Sequence, residues 1–284
     1  MSEQQVATTT QQIVDTPENW DKASQGYAQK VAPYLMESFA QDHIDRLDLN
    51  NTTEAIEVAA GSGALTELLA MNVKSLLATD FSPQMINLAR RKISHAGITN
   101  VEFEVMDGQA LNVDDATFDR AACSFGLMLF PDRHKGFQEL YRILRPGGRA
   151  VVSGWAGPDR FEAFGLFREA IQKALPEFPK PQTPPPVLSL ADPNTFITQM
   201  EAAGFREVEV DYVTREQIFE NFNSVWTMLT AGAPPIEMVF NKIGEDGKDR
   251  VHDALVDIIE KRFGSGPISV SNAATIGSGS ILVT

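Results

Sequence analysis

The run E-V-A-A-G-S-G-A-L at residues 57–65 decides the fold. Just upstream, Ala55–Ala59 is a short apolar strand, and just downstream Ala64–Met71 reads as a helix. Between them Gly61-Ser62-Gly63 makes a turn. Glycines there let the backbone come close to a ligand, and the helix that follows presents free N–H groups at its start. The next strand, Val73–Thr79, ends at Asp80, seventeen residues past Gly63. A carboxylate at that place can accept hydrogen bonds from both hydroxyls of a ribose. The unit therefore predicts a nucleoside-containing cofactor at the carboxyl ends of parallel strands, without saying which one. A nicotinamide-binding turn asks for G-x-G-x-x-G. Counted from Gly61, the sixth position is Thr66, so the third glycine is absent.

The alternation continues outward. Ser82-Pro83 opens a helix, with serine as cap and proline in the first helical position, and Gly97 stops it after about His95. Val101–Met106 alternates with period two, Phe118–Ser124 is a further strand, and Arg133–Leu144 is helical. Arg145-Pro146-Gly147-Gly148 then turns the chain into the strand Arg149–Trp155. Upstream, residues 17–47 read as helical, with Val31, Leu35 and Phe39 on one face. After Trp155 the rhythm breaks. Phe161, Phe164, Phe167 and Ile171 mark an amphipathic helix, and a proline-rich stretch follows with Pro176, Pro179, Pro181 and Pro184-Pro185-Pro186. Asn194–Ala203 is a helix, Phe205–Arg215 a strand, and Val225–Thr230 and Arg250–Phe263 are helical. Ile268–Thr284, two apolar stretches around G-S-G-S, fits a terminal hairpin.

This pattern predicts an α/β chain: a Rossmann-like, seven-stranded, mostly parallel sheet with helices on both faces and an antiparallel last strand. The expected division is a tail over 1–16, a helical N-terminal cap over 17–50, a cofactor-binding core over 51–157, a helical and proline-rich lid insertion over 158–204, and completion of the sheet over 205–284 with inserted helices. Composition narrows the function. The 284 residues carry a net charge of −14, which argues against nucleic acid as a partner and leaves a small molecule favoured. One cysteine excludes an internal disulfide and a cysteine-based metal centre, and the four histidines form no ligand spacing, so no metal is expected. There is no apolar run of membrane-spanning length and no signal-peptide pattern, so a cytoplasmic protein is expected.

With these motifs together the chain resembles the class I S-adenosylmethionine-dependent methyltransferases. Glu57–Gly63 looks like the family's acidic, glycine-rich turn, Asp80 its acidic residue after the second strand, and M-D-G-Q-A-L-N-V with Asp107 its motif after the third. Leu144–Gly148 looks like its L-R-P-G-G turn. The run C-S-F-G-L-M-L-F-P-D resembles the ubiquinone and menaquinone C-methyltransferase branch. The chain departs from that pattern at Ala59, where the first glycine usually stands, at Asn112-Val113 for Pro-Phe, and at Met128, where the quinone enzymes commonly have arginine.

The resemblance implies S-adenosylmethionine as cofactor, S-adenosylhomocysteine as product, and methyl transfer to a small acceptor. Glu57, Ala59, Gly61 and Gly63 would meet the amino-acid end of the cofactor and Asp80 the ribose. Phe81, Met85, Asp107, Gly108 and Gln109 would meet the adenine. Ser124 and Phe125 would line the transfer site, with Tyr27 closing over the methionine part. The acceptor pocket candidates are Met128, Phe161, Phe164 and Trp226, and their apolar neighbours point to an apolar or aromatic acceptor. No residue is assigned as catalytic; Tyr27 and His43 are the candidates, and His43 reads first as a structural histidine. Two other readings stay open: a protein that binds the cofactor without transferring methyl, and a nicotinamide-dependent oxidoreductase.

Overall fold

The computed structural model describes residues 16–179, 183–231 and 233–283. The expected tail, apart from Thr16, and Pro181 of the proline-rich stretch lie outside them. Helix α1 (Pro17–Gly26) starts where Thr16 accepts the Asn19 N–H and Pro17 takes the first helical position. The helical reading of 17–47 then breaks into pieces: a wide π-turn at Tyr27–Val31, α2 (Ala32–Leu35), a 3₁₀ turn at Glu37–Phe39, and α3 (Ala40–Leu47). Pro33 is the physical reason, because it lacks the N–H a continuous helix needs and its ring crowds the preceding turn.

The alternating core follows in order: β1 (Glu54–Val58), α4 (Thr66–Ala70), β2 (Ser75–Asp80), α5 (Pro83–His95), β3 (Val101–Val105), β4 (Phe118–Cys123), α6 (Arg133–Arg142) and β5 (Leu144–Trp155). Then come α7 (Glu162–Ala174), α8 (Pro193–Ala202), β6 (Arg206–Phe219), α9 (Phe222–Thr230), α10 (Pro234–Phe263) and β7 (Ile268–Ser280). The strands form one seven-stranded sheet in the order β3-β2-β1-β4-β5-β7-β6. β7 runs antiparallel to both β5 and β6, and the β1–β5 pairings are parallel. The order reverses between β1 and β4, the switch point where open α/β sheets leave a crevice at the carboxyl ends of their strands. Ile56, Val58, Ala121, Ala122, Val151 and Val152 fill the sheet centre and are buried. Burying a residue such as Val or Ile contributes about 1.5–3 kcal/mol.

Three local readings are corrected. The expected hairpin over 268–284, whose last residue lies outside the described ones, is instead one long strand over Ile268–Ser280, wedged between β5 and β6. Its glycines serve packing instead of a turn: a Cβ on Gly277 would stand 2.9 Å from the Phe196 ring, and one on Gly279 would stand 3.1 Å from Phe205. Arg145–Gly148 loops out inside β5 instead of preceding it, since Leu144 pairs with Phe118 and Arg149 with Arg120. Finally, α10 begins well before Arg250, at the Pro234-Pro235 start signal, and bends at Gly244, whose φ is 69°.

Candidate functional site

At the switch point the strand ends surround a cavity of about 470 Å³. Its wall includes Tyr27, Ala59, Gly61, Asp80, Phe81, Met85, Asp107, Gly108, Gln109, Ser124 and Phe125. Of the residues expected on the cofactor side, Glu57 and Gly63 alone stand behind the wall. Pro17, Trp20, Met106, Leu129, Phe130 and Pro131 also line it. Trp20 stands seven residues before Tyr27 and L-F-P falls near the end of the run C-S-F-G-L-M-L-F-P-D, so both lie within patterns legible in the sequence.

Asp80 ends β2 with both carboxylate oxygens engaged from below. Oδ2 accepts the Gly61 N–H and Oδ1 the Ser82 N–H, each at 2.9 Å. Each oxygen keeps a further lone pair for the cavity. Burial pushes Asp80 up to about 6; the nearby Asp21 adds to that, while the two backbone N–H groups oppose it. Glu57 is fully buried and accepts from the Thr66 hydroxyl at 2.6 Å. Thr66 is the residue that replaced the third glycine of a nicotinamide turn, and it fills that place with a side chain committed to Glu57. Burial, with Asp80 as a further like charge, moves Glu57 up to about 8.

The N-terminal helix is tied over this cavity. The Asp21 Oδ1 accepts from the Ser82 hydroxyl at 2.5 Å and from the Gln84 N–H at 3.1 Å, at the start of α5. That clamp brings Pro17, Trp20 and Tyr27 to the wall, with the Trp20 and Tyr27 rings edge to face at 5.3 Å. Burial first, then the charge of Asp80, raises the Tyr27 phenol above its usual range, so it stays protonated. On the opposite side Asp107 Oδ1 accepts from the Gln109 backbone and side chain at 2.9 and 3.1 Å. Gln109 Oε1 in turn accepts the Asp132 N–H at 2.8 Å and pins this loop to α6.

Two wall residues hold left-handed backbone without being glycine: Ala59, with φ 57°, and Phe125, with φ 56°. Phe125 is kept there by its N–H, which donates to Ser153 Oγ at 3.1 Å, and by ring contact with Trp155 at 4.3 Å. His43 belongs to this support and lines neither cavity. Its Nε2 pairs with Ser153 Oγ at 3.0 Å and its Nδ1 with the Phe39 carbonyl at 2.9 Å. Burial lowers its pKa to about 4, so it is neutral and committed, as a structural histidine is.

A second cavity, about 260 Å³ and almost wholly apolar, meets the first across Trp20, Tyr27, Phe125 and Leu129. Met128, Phe161 and Phe164, three of the four acceptor-pocket candidates, line it. Trp226 does not. It packs in an aromatic cluster with Phe240 and His252, at 5.7 and 4.9 Å, while Met228 and Leu229 of the same helix face the cavity. Among the described residues no helix is long and apolar enough to cross a membrane.

A sheet of this order, with an antiparallel seventh strand and acidic residues ending its first strands, is the architecture of class I methyltransferases. A family model described as a methyltransferase domain matches residues 55–148. A demethylmenaquinone methyltransferase of Deinococcus radiodurans is 32% identical over 162 residues, covering 53% of this chain and 67% of that protein. A ubiquinone/menaquinone biosynthesis C-methyltransferase of Geobacter sp. (strain M21) is 30% identical over 179 residues, covering 58% and 75%. Among solved structures, a SAM-dependent methyltransferase of Aquifex aeolicus matches with TM-score 0.51 at 15% identity, covering 94% of this chain and 99% of that one. That likeness shows the fold. The chain belongs to the class I S-adenosylmethionine-dependent methyltransferases, in the branch of the ubiquinone and menaquinone C-methyltransferases. Its cofactor is S-adenosylmethionine, and it is a methyl-transferring enzyme acting on a small molecule.

Proposed function

We propose that the 470 Å³ cavity holds S-adenosylmethionine and that the 260 Å³ cavity takes a small apolar or aromatic acceptor, with transfer where the two meet beside Tyr27 and Phe125. The junction of the cavities carries this reading. The residues fit the cofactor. Two buried carboxylates, Asp80 and Glu57, stand without an ion-pair partner among the described residues and call for a cationic, hydroxyl-rich ligand. A Cβ on Gly61 would meet nothing within 4 Å, so the turn leaves room for a ligand against its backbone.

In this reading Asp80 holds the ribose hydroxyls, and Asp107, Gly108 and Gln109 take the adenine edge, with Phe81 and Met85 against its faces. Ala59, Gly61 and Gly63 shape the turn under the amino-acid end. Glu57 braces it from behind through Thr66 and sets negative charge beneath it. Ser124 and Phe125 floor the transfer point.

The cofactor supplies an electrophilic sulfonium methyl. The chain's part is alignment and exclusion of water, for which effective molarities of about 10⁵–10⁸ M are available in well-oriented systems. No carboxylate or imidazole lines the second cavity among the described residues. Tyr27 stays protonated and so donates a hydrogen bond instead of acting as a base. The acceptor atom must therefore arrive already nucleophilic.

The test is titration with S-adenosylhomocysteine, followed by transfer from methyl-labelled S-adenosylmethionine to a panel. Demethylmenaquinol, after the named relatives, and flat aromatic phenols head that panel. Binding and a labelled product are expected. No binding would refute the cofactor site, and binding with no product across the panel would favour a protein that holds the cofactor without transfer.

A further inference from the structure

We propose that the second cavity is built for an elongated acceptor carrying an acidic group at the end remote from the methylated atom, recognised by Arg168 and Gln172. The inference rests on the methyl-transfer reading above and adds the acceptor's polar end to it. An aromatic ladder runs outward from the junction. Phe125 lies 4.3 Å from Trp155, Trp155 4.1 Å from Phe161, and Phe161 6.0 Å from Phe164, ring to ring. Phe161 immediately precedes α7, and Phe164, Arg168 and Gln172 follow at four-residue steps along one face of it. Each step advances about 6 Å along the helix. One and two turns past Phe164, α7 thus adds a guanidinium and an amide to a wall that Phe167 and Ile171 otherwise keep apolar.

Both groups are uncommitted. Among the described residues Arg168 makes no hydrogen bond, ion pair or ring contact, and Gln172 makes none. The other arginines at that end are taken. Arg262 pairs with Glu169 at 2.8 Å and Glu162 at 3.6 Å, Arg160 lies over the Tyr212 ring at 4.6 Å, and Arg250 faces Glu177 at 3.9 Å. Of the acidic groups sharing the rim, Glu162 and Glu169 share the single charge of Arg262, and Asp159 lies 4.0 Å from Arg160. Arg168 and Gln172 also line a polar cavity of about 930 Å³ on the far side, so they stand where the apolar cavity opens. A chain of net charge −14 repels anions in general. A guanidinium with no bonded partner among the described residues, at the mouth of an apolar cavity, offers them a local contact, and its planar fork suits a carboxylate or sulfonate.

Two fluorescent probes share a body and differ in charge. Anilinonaphthalene sulfonate carries the acidic group, and N-phenyl-1-naphthylamine lacks it. Both are titrated into the protein saturated with S-adenosylhomocysteine. The sulfonate should bind the wild type more tightly than the neutral probe, and R168Q should weaken the sulfonate about fivefold, as a partly exposed charge pair allows. The same variant should leave the neutral probe and S-adenosylhomocysteine unchanged, and R168K, which keeps the charge but loses the fork, should fall between wild type and R168Q for the sulfonate. Equal sulfonate affinity for wild type and R168Q, with S-adenosylhomocysteine bound, would overturn this inference alone. Failure of S-adenosylhomocysteine to bind the wild type would instead strike the methyl-transfer site, and this inference with it.

Discussion

Replacing Asp80 by Asn should remove most S-adenosylhomocysteine affinity while leaving the fold about as stable as before. In the free chain the buried carboxylate is pushed up to about 6 from an ordinary 3.8. A raised folded-state pKa means that the charged form costs stability. That cost is absent below pH 3.8, grows as pH rises, and is complete above about 6, where it amounts to roughly 3 kcal/mol. Asparagine removes it. Against this, the carboxylate oxygens accept two backbone N–H groups, from Gly61 and Ser82, and an amide has one oxygen. One N–H is left facing an amino group, at about 1–3 kcal/mol. The two effects offset to within about 2 kcal/mol, so the melting temperature should move by no more than about 5 °C. Binding has no such offset. Two charge-assisted bonds to ribose hydroxyls are worth about 1.5–3 kcal/mol each, so the Kd should rise at least about a hundredfold. Calorimetric titration and thermal unfolding of the same samples check both halves. Affinity within about threefold of wild type would refute the ribose contact. A large fall in melting temperature would show Asp80 to be a structural cap.

Glu57, pushed up to about 8, is mostly protonated at neutral pH in the free chain. A cation over it lowers that value, so cofactor binding should release a proton below pH 8 and strengthen as pH rises from 6 to 8. Near pH 8, above the titration of Asp80, the binding enthalpy should then vary with the buffer's ionisation enthalpy, and E57Q should abolish that variation. A methyl added at Gly126 would overlap that of Ala59. G126A should destabilise by roughly 1–3 kcal/mol, and A59G, which also relieves a positive φ, should restore most of it in a urea double-mutant cycle. His43, held down at about 4 against an ordinary 6.5, favours unfolding as acid protonates the unfolded chain. Stability should fall between pH 6.5 and 4 by up to roughly 3 kcal/mol, and H43N should flatten that part of the urea midpoint profile.

The cofactor side was legible because its geometry is local. A strand, a turn and a helix place Gly61 and Asp80 within thirty residues, and turn chemistry leaves few alternatives there. The acceptor side is assembled from α1, α7, α9 and the loop after Ala174, far apart in sequence, so composition could name its character but not its members. Trp226 shows the difference. On an amphipathic helix it looked like Met228 or Leu229, and only packing against Phe240 and His252 turned it away. The G-S-G-S run misled for a related reason. Glycine signals a turn when read locally, but Gly277 and Gly279 are bare because the Phe196 ring and the Phe205 Cβ, from a distant segment, press on them. His43 was readable as structural, but its tie to Phe125 through Ser153 crosses 110 residues and has no sequence signature.

Several unfavourable features meet at one cavity, although Asp48, Ala116 and Glu207 hold positive φ elsewhere. Ala59 and Phe125 hold left-handed backbone facing it, and Asp80 and Glu57 are buried carboxylates beside it. Each costs on the order of 1–3 kcal/mol, and each needs a rigid surrounding to persist. The parallel strands supply that rigidity, because β1, β2, β4 and β5 are buried on both faces and cannot yield without opening the sheet. A cation and a diol entering the cavity would relieve both carboxylates at once, so the free chain is least comfortable where the cofactor binds. The acceptor cavity is different. It shares Trp20, Tyr27, Phe125 and Leu129 with the first cavity but otherwise depends on apolar contacts that tolerate exchange of shape for shape. Its one polar end, at Arg168, is exposed and makes no contact that the fold requires. On the proposed assignment, acceptor choice can therefore change by substitution on α7 and α9 without disturbing the cofactor site, whereas a change at Asp80 or Ala59 would alter the site on which every acceptor depends.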